Sequence, residues 1–133
     1  MNIFKMQRKF WWKHMELILK DVNLNDIAMP KNNCLVLTFL NSYNGKHYGS
    51  LSCNQVIKCC IENEALRNEE FAYYILDIYI KKLTKEEVEE SLQYYKYGYN
   101  VDISKLGNQM LLTVSGNDIC IDIICGDIIL RTD

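Results

Sequence analysis

Apolar residues along this chain come in short blocks, many of them alternating with polar positions, and Gly, Asn and Asp punctuate the blocks. Residues 111–114, 119–125 and 128–131 are β-branched runs separated by Ser115-Gly116-Asn117-Asp118 and Gly126-Asp127. Turns that need positive φ favour such residues, so the spacing predicts hairpins and a closing antiparallel meander over 110–131. Residues 34–40 are apolar at nearly every position, as in a strand covered on both faces, and Asn44-Gly45 marks the turn after it. Residues 48–53 and 55–62 then read as two more strands. The segment from Met15 to Val22 alternates through Met15, Leu17 and Leu19, which favours a strand over 15–22 ahead of a helix, with Asn23-Leu24-Asn25-Asp26 as a turn and residues 30–33 closing a loop. Residues 71–83 predict a long central strand with Ala72, Tyr74, Leu76, Ile78 and Ile80 on one face and Tyr73, Ile75, Asp77 and Tyr79 on the other.

One segment changes period. Thr84-Lys85-Glu86-Glu87 is a capping box, with Leu83 and Val88 at the two staple positions, and Val88, Leu92, Tyr95 and Tyr99 continue at helical spacing until Gly98. A helix over 85–97 follows, its outer face carrying Glu86, Glu89, Glu90 and Gln93. The fold class is α+β: mainly antiparallel β, as a sandwich or strongly bent sheet, with one well-capped helix and residues 1–133 in a single domain.

Composition narrows the function. Fifteen basic against seventeen acidic residues give a net charge of −2, a poor balance for neutralising many phosphates, so nucleic acid is not an expected partner. No run approaches the ~18 apolar residues of a membrane span, and the basic, aromatic N-terminal segment lacks the pattern of a signal peptide, so the expected location is the cytoplasm. Cys34, Cys53, Cys59, Cys60, Cys120 and Cys125 lie in strand-like contexts and are expected to be reduced, with at least four of them buried. No CxxC or His-x3-His spacing, phosphate loop or Cys-His motif is present, and His14 and His47 stand far apart. Asp77 and Asp122 interrupt apolar strands and are the candidates for a carboxylate pair, although an acid alternating with isoleucines ordinarily marks a solvent face. No cofactor, metal or catalytic residue is therefore assigned, and a non-enzymatic role is expected.

What remains is surface character. Tyr94 and Tyr97 belong to a run of four tyrosines within six residues, and tyrosine offers large contact area at small entropic cost. Glu62, Glu64, Glu69 and Glu70 form one acidic cluster, and Glu86, Glu89 and Glu90 a second. Such clusters suit a basic protein partner, because complementary potential speeds association and excludes wrong partners. The segment Tyr48-Gly49-Ser50-Leu51-Ser52-Cys53, the long strand leading into Leu83-Thr84-Lys85-Glu86-Glu87, and the closing Ile121-Asp122-Ile123-Ile124-Cys125-Gly126-Asp127 together resemble the small bacterial immunity proteins encoded beside polymorphic toxins. That resemblance, spread over residues 15–131, implies an inhibitor that binds a cognate toxin domain and blocks its active site. It carries over no catalytic residue. The alternatives are a small-molecule-binding or structural β-rich domain and, behind these, a small hydrolase.

Overall fold

The computed structural model describes residues 2–7, 14–17, 19, 21–63, 73–92 and 109–132. Among them the elements are β1 (Asn2–Gln7), β2 (His14–Leu17), β3 (Val22–Lys31), β4 (Cys34–Asn41), β5 (His47–Asn54), β6 (Lys58–Asn63), β7 (Tyr73–Lys82), α1 (Lys85–Leu92), β8 (Met110–Gly116), β9 (Ile119–Cys125) and β10 (Asp127–Thr132). The strands form one sheet in the order β1-β10-β5-β4-β3-β7-β8-β9-β6, and β2 also pairs with β7. Every pairing is antiparallel. The α+β reading with one capped helix is thus the architecture found; positions 93–97 of the expected helix lie outside the described residues.

The sheet bends at β7. Ile75 faces Gly116 on β8 and Asp77 faces Ser115, so β7 spends two steps where β8 spends one. On its opposite edge, β2 places Leu17 against Ile78 and β3 places Asn23 against Tyr74, six residues of chain against four. Extra residues of this kind bend a strand and sharpen its twist. The expected strand over 15–22 is accordingly broken in two, with Asp21 at φ 57° in the break. Asn23 to Asp26, expected as a turn, instead begin β3 and run beside β4. Pro30, expected in a loop, lies in β3 where the register slips between Ala28 and Lys31, because a residue without an N–H is tolerated at such an irregularity. The actual turn is Asn32-Asn33, with Asn33 at φ 61°.

The bulge also resets which side of β7 is buried. Ile75, Ile78 and Ile80 point into the core, whereas Leu76, expected on the face of Ile78 and Ile80, is 57% exposed. Strict alternation fails because one residue has been inserted into its phase.

At the far edge the chain crosses between the two halves of the sheet twice. β5 leads through Gln55, at φ 56°, into β6 beside β9, and β9 leads through Gly126 into β10 beside β5. The crossings are stitched together: Gly126 N–H donates to Asn54 O at 2.9 Å and Ile57 N–H donates to Ile124 O at 2.9 Å. A Cβ on Gly126 would meet the Gln55 side chain, its amide end first, so glycine suits the close approach of this corner. The closing meander is corrected accordingly. β8 and β9 do form a hairpin, but β10 returns to β5 and β1. Residues 55–57, expected within a strand, form the other corner.

Both halves contribute to one core. Val22, Leu24, Leu37, Phe39 and Leu51 meet Ile78, Ile80, Leu112, Val114, Ile121 and Ile123 in a continuous apolar cluster closed by Ile128. A smaller cluster lies on the outer face of β8 and β9, where Val88, Leu92 and Leu83 cover Ile124 with Ile57 and Leu111 beside them. β9 is thus buried on both faces at its end, Ile123 inward and Ile124 under the helix. All six cysteines are free thiols, and three of them, Cys34, Cys53 and Cys125, are buried. The expectation of at least four is corrected: the edge strand β6 leaves Cys59 exposed and Cys60 half-buried, and Cys120, on the outer face of β9 near its start, is half-buried too.

Candidate interaction surface

The N-terminus of α1 is built as its sequence requires. Glu87 N–H donates to Thr84 Oγ1 at 3.2 Å and Thr84 N–H donates to Glu87 Oε1 at 3.1 Å, which satisfies two of the donors a helix start leaves open. Lys81 Nζ on β7 adds a salt bridge to Glu87 Oε2 at 2.7 Å. This pair, ahead of the hydrogen bonds from Thr84, holds the Glu87 carboxyl below its ordinary range. The cap and the buried Val88 and Leu92 fix the rotation of α1, so Glu86, Glu89 and Glu90 are exposed on its outer side.

Register places a second set of carboxylates on the same side of the sheet. Thr113 and Asp122 face each other across β8 and β9, two residues along from Leu111 and Ile124, and so share the outer face that the helix covers. Asp122 Oδ1 accepts from Thr113 Oγ1 at 2.8 Å. Cys60 lies opposite Asp122, Glu62 opposite Cys120, and Asp77 opposite Ser115. Glu62 is exposed and borders a hollow of about 120 Å³ against residues 116–120. The outer face therefore runs from the acidic side of α1, across Asp122 and Asp77, to Glu62 at the opposite end. Its basic positions on the strands are Lys58 and Lys81, both tied to the helix: Lys58 Nζ donates to Ser91 O at 3.3 Å, and Lys81 pairs with Glu87. Burial, followed by the nearby Asp122 carboxylate, raises the Cys120 thiol, so this cysteine is poor in thiolate, the nucleophilic form.

Of the residues marked from sequence, Glu62, Glu86, Glu89 and Glu90 thus stand exposed at two ends of one face. Glu64, Glu69, Glu70, Tyr94 and Tyr97 lie outside the described residues. Asp77 and Asp122 share this face but sit on strands separated by β8 and two residues apart in register, so more than about 10 Å separates them by strand geometry. Both are half-exposed. The fold also assembles a cluster that sequence reasoning missed, Asp21 with Tyr43 and Tyr74, from three segments whose meeting depends on the broken strand.

Two open, overlapping grooves of about 390 and 400 Å³ flank the Asn32-Asn33 turn, lined in part by Asn54, Val56, Ile57 and Cys59. Among the described residues no cluster of His, Cys, Asp and Glu has the arrangement of a metal site, and no helix is long and apolar enough to cross a membrane.

No curated protein matches this sequence. A crystal structure of an uncharacterized protein from Neisseria gonorrhoeae shares the fold, with a TM-score of 0.61 at 16% identity over 90% of this chain and 98% of that one. A family model described as "-like" matches residues 17–132, the described fold from β3 onward, and the chain belongs to that family.

Proposed function

We propose that this protein is a non-enzymatic, cytoplasmic inhibitor that binds a basic protein partner, in the manner of an immunity protein neutralising a bacterial toxin domain. The observation that carries the reading is the acidic outer face. Asp77, Asp122 and Glu62 on the strands, with Glu86, Glu89 and Glu90 on α1, give this face an acidic excess over its lysines, of which Lys58 and Lys81 are engaged by the helix and Lys85 on α1 is exposed. Such a field steers a basic partner and disfavours nucleic acid and other polyanions. The capped helix and the hairpin are rigid supports, so little ordering entropy opposes association.

The test is binding to purified basic toxin domains, at two ionic strengths, for the wild type and for Glu86→Lys/Glu89→Lys/Glu90→Lys and Glu62→Lys/Asp122→Lys variants. Slower association, with a weaker dependence on salt and an unchanged fold, is the expected result. Binding and growth rescue unaffected by either set would remove this face from the interface, and failure to bind any basic protein would remove the inhibitor reading. In that event the grooves beside Asn32-Asn33 favour the small-molecule alternative.

A further inference from the structure

The bend in the sheet pushes a small group of side chains outward. Asp21 occupies the break between β2 and β3 at φ 57°, a left-handed conformation that Asp tolerates better than most L residues and that surrounding contacts hold in place. Those contacts come from the β4–β5 turn: Ser42 N–H and Ser42 Oγ both donate to Asp21 O, each at 2.8 Å. The same turn carries Tyr43, which is 79% exposed, and β7 brings Tyr74, 38% exposed, and the bulged Leu76, 57% exposed. Tyr74 Oη donates to Asp21 Oδ1 at 3.3 Å. Tyr43 follows Ser42 on that turn, and the Asp21 carboxylate, foremost as a hydrogen-bond acceptor, raises the pKa of its phenol.

We infer that Asp21, Tyr43 and Tyr74 form a clamp for a guanidinium group, occupied by an arginine side chain of the protein partner. The occupant's place on a basic protein rests on the function proposed above; the chemistry of the clamp does not. A carboxylate can accept about four hydrogen bonds, and two phenols leave room for a planar donor pair. Arginine supplies that pair in a fork matched to carboxylate geometry, and its flat face stacks on an aromatic ring while retaining its charge. Lysine offers a point charge and no plane. Leu76 supplies an exposed apolar surface beside Tyr74 for the arginine stem, whose methylenes favour such cover. The cluster adjoins the acidic face, since Tyr74 O accepts from Asn117 N–H in the β8–β9 hairpin at 3.2 Å.

The probe is N-acetyl-arginine amide, titrated into the whole protein and followed by NMR on the tyrosine rings, with the citrulline analogue as its uncharged isostere. Saturable shifts at Tyr43 and Tyr74 are expected with arginine and absent with citrulline. Asp21→Asn, which keeps a residue tolerant of positive φ, should weaken binding by about tenfold. Tyr43→Ala, at an exposed position, should do the same through loss of the ring. Equal response to citrulline, or arginine binding unchanged in both variants, overturns the clamp. If arginine binds as expected while no basic protein does, the clamp stands and the inhibitor reading falls; if a basic partner binds with full affinity to both variants, the reverse holds.

Discussion

At the residue scale, the Thr84–Glu87 capping box was fully legible, because every contact in it is local and both side chains are named by their spacing. Its consequence can be measured. Thr84→Ala removes the acceptor for the Glu87 amide and should lower stability by about 0.5–2 kcal/mol in urea unfolding. Glu87→Gln keeps an acceptor for the Thr84 amide but loses the charge that Lys81 meets at 2.7 Å. The native carboxyl titrates below its ordinary value of 4.5, so its contribution is complete above that pH and is lost as pH falls through the lower folded-state value. A plot of unfolding midpoint against pH should therefore drop more steeply below about 4.5 in the wild type than in Glu87→Gln; identical slopes would mean that the ion pair adds nothing. The Asp21 cluster was not legible at this scale. Asp21 is of a residue type that tolerates positive φ, but the apolar run around it reads as continuous strand, and Tyr43 and Tyr74 are brought to it only by long-range pairing.

At the scale of elements, sequence period gave the existence of nearly every strand and failed wherever an extra residue shifted its phase. Leu76 is the informative case. Alternation from Ala72 to Ile80 groups it with Ile78 and Ile80, and only the bulge opposite Gly116 and Ser115 explains its exposure. Leu76→Asp should accordingly cost less than about 1 kcal/mol, whereas Ile78→Ala, emptying a fully packed site, should cost about 2–5 kcal/mol. Comparable losses at the two positions would return β7 to an unbroken alternation. The β9–β10 connection failed for a related reason. Gly126-Asp127 has the composition of a tight hairpin, but a corner that passes close to Gln55 also suits glycine, and composition alone does not separate the two. Glu62 and the helix acids are marked in the sequence because they cluster along the chain. Their union into one face with Asp77 and Asp122 required the strand order.

At the scale of the whole molecule, the two crossings at residues 54–57 and 124–127 decide how the protein comes apart. β5 and β10 belong to the half of the sheet that contains Phe39, and β6 and β9 to the half that contains Ile121, yet each half is continued by the chain of the other. The core is likewise shared, since Phe39, Leu37 and Leu51 pack in the same cluster as Ile121, Ile123 and Leu112. A half that opened alone would strip the apolar cover from the other half and break the hydrogen bonds Gly126 to Asn54 and Ile57 to Ile124. Cooperative, single-step unfolding is expected from that geometry. Phe39→Ala should lower stability by about 3–5 kcal/mol and Ile121→Ala by about 2–5 kcal/mol. Each should move one common urea transition, seen at the same midpoint by far-ultraviolet circular dichroism and by tyrosine fluorescence, with its steepness unchanged. Two separated transitions in either variant, or protection from hydrogen exchange that survives in one half after the other has lost it, would mean that the halves are independent units and that the paired crossings do not couple them.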